Sequence, residues 1–193
     1  MADELADPQS LVVTCRKHGV PMFVPALNDS SIGIGLTEHR HRSITRGKPH
    51  LLIDSIQDNY ELAQLVALAP ATAAIFVAGG VPKNYINDSV VMSYMFDQAK
   101  EGHRYAIQVS TAVSADGGLS GSTLSEAKSW WKVSPTASTA MVWSEPTVVL
   151  PMLITAAIEE GLHQHRSRHS FGWKGDRLEE IRFGNQSRKA APR

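Results

Sequence analysis

The chain has 193 residues, enough for one compact domain with its own core. Nineteen Lys/Arg balance nineteen Asp/Glu, so no global charge directs it to nucleic acid or to a membrane surface. A single cysteine, Cys15, excludes an internal disulfide and fits a reducing compartment.

In chain order, Asp7-Pro8 reads as a helix start and Gly19 as a stop, which predicts a helix over 8–18 with Cys15 on its core-facing side. "VPMFVPAL" predicts a strand, and "NDSSIGIG" the loop after it. "HLLIDSI" predicts a second strand, and "QDNYELAQLVALA" carries helical spacing up to Pro70. "TAAIFVAGG" is an apolar run ending in glycines, followed by the helical "KNYINDSVVMSYMFDQAKEG". "YAIQVST", "STLSEAKSWW", "AMVWS" and "PTVVLPMLITAAIEEGL" repeat the alternation of strand and helix. Strands apolar on both faces belong to a parallel sheet covered by helices above and below. The expected architecture is α/β, a Rossmann-like doubly wound and mostly parallel sheet spanning 1–162. No apolar run reaches membrane-spanning length, since Pro70 breaks the longest, and "MADELADPQS" is no signal peptide; a cytoplasmic location is expected.

From His163 onward eight Lys/Arg face three Asp/Glu, a net of +5. This stretch, 163–193, lacks strong periodicity and is expected to be a basic, flexible or added surface tail. Its "HQHRSRH" and the earlier "EHRHR" lack Cys or carboxylate partners at a diagnostic spacing, apart from Glu38, and their basic neighbours repel a cation. No metal site is expected.

Ligands of open α/β sheets bind at the carboxyl ends of the strands. The loops there are "ALNDSS", "AGGVPKN", "STAVSADGGLSGS" and "SEP". Gly79 and Gly80 let backbone amides approach a phosphate at a helix start, although the same pair also serves a plain tight turn. Neither common nucleotide fingerprint is present. "SEAKSWWKVS", residues 125–134, places Lys132 behind two tryptophans. On a helix, Glu126 and Trp130 share a face and Lys132 falls at the exit. An amine in an aromatic, partly dry pocket is suited to imine formation, and a tryptophan face with a carboxylate suits a cationic amine. The bland alternative is two core tryptophans and a solvated lysine.

"EAKSWWKVS" resembles the E-A-x-S-W-G-K segment of the deoxyhypusine synthase family. "VPALNDSSIG" is similar to that family's P-A-L-x-D-x-S-x-G loop, "VAGGVPKN" to its glycine loop, "STAVSADGGLSGS" to its cofactor loop and "VWSEPTVVLPMLI" to its last strand and helix. Order and spacing are kept from about Val20 to Ala157. The resemblance implies a subunit that binds NAD, assembles into tetramers and transfers an aminobutyl group from spermidine through a lysine imine. It implies Lys132 as the nucleophile, Glu126, Trp130 and Asp88 around the amine, and Asp29, Gly79, Gly80, Thr111, Ala112, Asp116, Ser120 and Glu145 at cofactor positions. Four departures stand out. The family's catalytic histidine is Asn84, two polyamine-binding carboxylates are Ile34 and Leu119, and Trp131 replaces the glycine before the lysine. Asp88 stands where the family tends to have Asn and adds a negative charge. Family members are roughly twice as long, so the chain resembles their carboxyl-terminal half. Two readings follow: an alkylamine transferase with altered substrate choice, or a silent or truncated subunit that assembles with a full-length homologue. A generic small nucleotide-binding domain accounts for the sheet but not for the ordered matches.

Overall fold

A computed structural model describes residues 7–96, 101–164 and 166–191. The chain divides into two compact units, Met1–Asp58 and Asn59–Arg193. Among the described residues no helix is long and apolar enough to cross a membrane.

The first unit holds α1 (Leu11–His18) and α2 (Ser31–Thr45). Gly19 ends α1 in the left-handed conformation, as its position after the last periodic residue predicts. Cys15 is half-buried and unbonded, and α1 buries no residue fully, so the expected core-facing side of this helix is not seen. The strands expected over "VPMFVPAL" and "HLLIDSI" do not form. Their apolar residues stay outside: Val20, Met22, Val24, Leu51, Leu52 and Ile53 are all exposed. A strand exists only where a neighbour accepts its hydrogen bonds, and neither run has one here. The expected loop "SSIGIG" instead opens α2. Ser30 caps it by accepting from the Gly33 amide at 3.1 Å, and a side chain at Gly33 would collide with the Leu27 and Asn28 carbonyls.

The second unit is α/β. Its strands β1 (Ala73–Val77), β2 (His103–Val109) and β3 (Val133–Val142) form a parallel sheet in the order β1-β2-β3. Helices alternate with them: α3 (Ser55–Leu68) enters from the first unit, and α4 (Val81–Ser93), α5 (Leu124–Ser129) and α6 (Pro146–Glu159) follow the strands in turn. The core lies on one face of the sheet, where Ala74, Phe76, Ala106, Val133 and Ala137 meet Leu124 and Ala127 of α5 and Ile86 of α4. The other face is open along β1 and the start of β2, with Ile75 63%, Val77 48% and Tyr105 54% exposed. α6 is strongly apolar in sequence yet buries none of its residues.

The basic tail is not a loose extension. From His169 onward it forms β4 (His169–Lys174), β5 (Arg177–Phe183) and β6 (Gln186–Lys189), an antiparallel sheet. Gly175 and Gly184 take positive φ at its two tight turns, and Leu178 and Ile181 are buried. Gln64 of α3 grips this sheet twice, donating to the Asp176 carbonyl at 2.8 Å and accepting from the Leu178 amide at 2.9 Å.

His103 at the head of β2 is 2% exposed. Its Nδ1 lies 2.8 Å from the Thr72 hydroxyl and its Nε2 faces the Ile86 carbonyl at 3.4 Å. Burial holds the imidazole below its ordinary range, partly offset by the Ile86 carbonyl. The unfolded chain therefore takes up a proton that the folded chain refuses, so this contribution is complete above about pH 6.5 and is lost as pH falls through the lowered folded value. Urea unfolding at pH 7.5 and pH 5.5 is expected to show a loss of stability on acidification that His103→Gln reduces; equal losses in both chains refute the assignment.

Candidate functional site

The three parallel strands end in register at Val77, Val109 and Val142. Their carboxyl ends therefore deliver Gly79-Gly80, Thr111-Ala112 and Glu145 to one edge of the sheet. Gly79 packs backbone to backbone against Gly118, where any side chain would collide with the Gly118 carbonyl. Gly80 has φ 71 and ψ −149, a conformation open essentially to glycine alone. The Ser120 hydroxyl donates to the Gly80 carbonyl at 2.7 Å, and Asp116 accepts from the Gly118 amide at 2.7 Å. Glu145 caps α6 through the Thr147 amide and hydroxyl, each at 3.4 Å.

Gly79, Gly80, Ala112, Asp116 and Ser120 are thus held in one cradle. At its floor α4 begins with no side-chain cap; Pro82 carries no amide hydrogen and the Asn84 amide donates to the Gly80 carbonyl at 3.2 Å, which leaves the Val81 and Lys83 amides without an intrahelical partner. An uncapped helix start beside a glycine loop suits the phosphate of a dinucleotide.

A residue without an assigned role holds this cradle together. Lys83 is 1% exposed, and its ammonium donates to the Leu119 carbonyl at 2.9 Å and to the Ser122 carbonyl. Burial pushes this lysine below its ordinary range, opposed by the charge of Glu126. Its signal lay in "GGVPK", where a lysine one turn into a helix that packs inward has no water to serve its charge. Leu119, where the resemblance leads to a carboxylate, is fully buried and anchors the same loop.

Lys132 lies at the other end of the sheet, directly before β3. The α5 helix that leads to it starts with a reciprocal capping box. Thr123 accepts from the Glu126 amide, and the Glu126 carboxylate accepts from the Thr123 amide. Glu126 is therefore engaged at the start of α5, where its charge acts on Lys83. The helix ends in a Schellman turn, in which the Trp131 amide donates to the Lys128 carbonyl and the Lys132 amide to the Ala127 carbonyl. This turn needs a left-handed residue at Trp131, which has φ 59. The carbonyl of Lys132 then accepts from the His103 amide at 3.1 Å, which fixes it to β2.

The Lys132 ammonium donates to Asp88 Oδ1 at 2.7 Å and lies 5.2 Å from the centre of the Trp130 ring. Its side chain is 17% exposed, and that of Asp88 53%. Asp88 and Asn84 stand four residues apart on the exposed face of α4. Lys132, Asp88 and Trp130 thus form one cluster, and the glycine cradle forms a second. Asp29 belongs to the first unit, where with Leu27, Leu36, Arg40, Leu52 and Asp58 it lines an open cavity of about 630 Å³. Ile34 of that unit is 71% exposed.

A bulky residue at a left-handed position costs about 1 kcal/mol. Trp131→Gly is expected to raise unfolding stability by about that amount, because Trp131 is 56% exposed and little packing is lost. An unchanged or lower denaturant midpoint refutes the strain at this turn.

Comparison with known proteins follows the same residues. A protein-family model described as deoxyhypusine synthase matches residues 1–157. A probable deoxyhypusine synthase 2 of Methanosarcina mazei is 40% identical over 178 residues, covering 92% of this chain and 50% of that protein. A deoxyhypusine synthase-like protein of Caulobacter vibrioides is 43% identical over 148 residues, covering 77% and 40%. A deoxyhypusine synthase-like protein of Coxiella burnetii is 42% identical over 163 residues, covering 84% and 45%. The chain spans about half the length of the curated relatives it matches. It belongs to the deoxyhypusine synthase family.

Proposed function

We propose that this chain is the lysine-bearing half of an NAD-dependent alkylamine transferase of the deoxyhypusine synthase type, acting on spermidine or a related amine. The observation that carries this reading is the Lys132 amine, held between the Asp88 carboxylate and the Trp130 ring and largely shielded from water. NAD, when bound, supplies the hydride acceptor that makes the donor amine electrophilic. The chain's own residues do the rest. Gly79, Gly80, Thr111, Ala112, Asp116, Ser120 and Glu145 hold the cofactor on one edge of the sheet, and Asp29 is a further cofactor-binding residue in the first unit. Lys132 attacks the carbon of a donor amine activated at the cofactor edge of another subunit of the assembly and keeps the alkyl group as an imine. Trp130 and Asp88 hold the cationic amine, and Glu126 fixes the segment that carries Lys132.

In the assembled protein the open face of the sheet is covered, which gives the doubly wound, Rossmann-like arrangement with helices on both faces. Exposed Ile75, Val77 and Tyr105, together with an α6 that buries nothing, support this. The assembly is a tetramer or a complex with a full-length homologue in the cytoplasm.

Intact-mass measurement after incubation with NAD and a panel of amines including spermidine, followed by borohydride, is expected to reveal an adduct on Lys132. Lys132→Ala is expected to abolish it while leaving the fold intact. An adduct that survives the substitution refutes the nucleophile.

A second reading is favoured by Asn84, which cannot serve as a base, and by the half-length span of the match. In it the chain is a silent subunit that works by assembly. Sizing of the chain alone and mixed with a full-length homologue then gives a mixed complex with no adduct from any amine. A chain that forms the adduct and stays apart from the homologue refutes this reading.

A further inference from the structure

We propose that Asp88 is the proton carrier for Lys132. This inference rests on the reading of Lys132 as the imine-forming nucleophile. Two observations support it. Asp88 Oδ1 lies 2.7 Å from Lys132 Nζ, inside the range in which a base takes a proton directly. The carboxylate is 53% exposed while the lysine side chain is 17% exposed, so Asp88 joins a shielded amine to solvent.

A lysine held as an ammonium has no lone pair, so Asp88 first accepts a proton from Nζ and passes it to water. The neutral amine attacks the electrophilic carbon: the C–N bond forms, and the π electron pair moves onto the atom that was doubly bonded to carbon. Nζ now carries an excess proton. Asp88 removes it and delivers it to the departing nitrogen when the electrophile is a protonated imine, or to the departing oxygen when it is an aldehyde. On nitrogen that proton suffices; on oxygen it gives a hydroxyl, which takes a second proton, the one released to water at the outset, before the bond breaks. The amine or water leaves, and the Nζ lone pair forms the protonated imine. Asp88 ends as the carboxylate it was at the start, and the step needs no oxidant or reductant.

The test uses a simple aldehyde and therefore no NAD. The whole chain is incubated with butanal, quenched at intervals with borohydride and mapped by peptide mass, with the exposed Lys48 as internal standard. Lys132 of the native sequence is expected to be labelled faster than Lys48. Asp88→Asn, which keeps the shape and removes the carboxylate, is expected to slow Lys132 labelling by roughly 100-fold, with Lys48 unchanged. Asp88→Glu is expected to restore much of the rate, which a purely structural role at an exposed helix position would not require. Equal or faster labelling of Lys132 in Asp88→Asn overturns the proposal and leaves the nucleophile in place, because the carboxylate would then only clamp the ammonium. Labelling of Lys132 at the Lys48 rate in the native sequence overturns both.

Discussion

The buried ammonium of Lys83 is the interaction on which the rest of the second unit depends. A cation sealed from water is tolerable only when its donors are used, and here they meet main-chain carbonyls of Leu119 and Ser122. Those carbonyls belong to the segment between β2 and α5. Once that segment is tied to α4, Gly118 presses against Gly79, Ser120 reaches Gly80, and Thr123 is in place to start α5. A capped α5 then ends in the Schellman turn that presents Lys132. The glycine cradle and the lysine cluster are remote along the strands, yet they are coupled through one short helix whose start is pinned by the same buried charge.

Much of this was legible in the sequence where local signals and long-range pairing agree. β1, β2 and α4 follow from an apolar run, a glycine pair and a helical repeat, and the structure supplies the partners that these patterns require. "VPMFVPAL" and "HLLIDSI" carry the same apolar signal, but strand formation is a property of a pair, and a sequence pattern cannot tell whether the partner lies in the same chain. α2 was hidden by Gly33 and Gly35, which argue for a loop by propensity. Tertiary contact overrode propensity there, since Gly33 is required by the approach of the Leu27 and Asn28 carbonyls. The carboxyl-terminal sheet was hidden by its charge. Its turn signals were nevertheless present, Gly175-Asp176 and Gly184-Asn185 at the spacing of a meander, and they carry more information than overall polarity does.

The candidate site was legible to the extent that residue type dictates geometry. The nearness of Lys132 to Trp130 follows from their spacing, whereas its pairing with Asp88 links positions 44 residues apart and rests on how α4 lies against the sheet. Glu126 adds a role that its spacing from Trp130 did not assign: with Thr123 it forms a capping box, which satisfies two amides that would otherwise lack partners.

Gln64 gives the second unit a further property. Its two hydrogen bonds reach residues 112 and 114 positions away, joining the first helix of the unit to its last sheet. Closing a loop of that length costs on the order of 4 kcal/mol of chain entropy, which two exposed or part-buried bonds do not repay alone. The β4–β6 meander closes over short turns, so its own pairing is local, whereas its docking on α3 depends on the intervening chain that β1 to β3 draw together. The bond pair thus makes the two ends of the unit rise or fall in stability together.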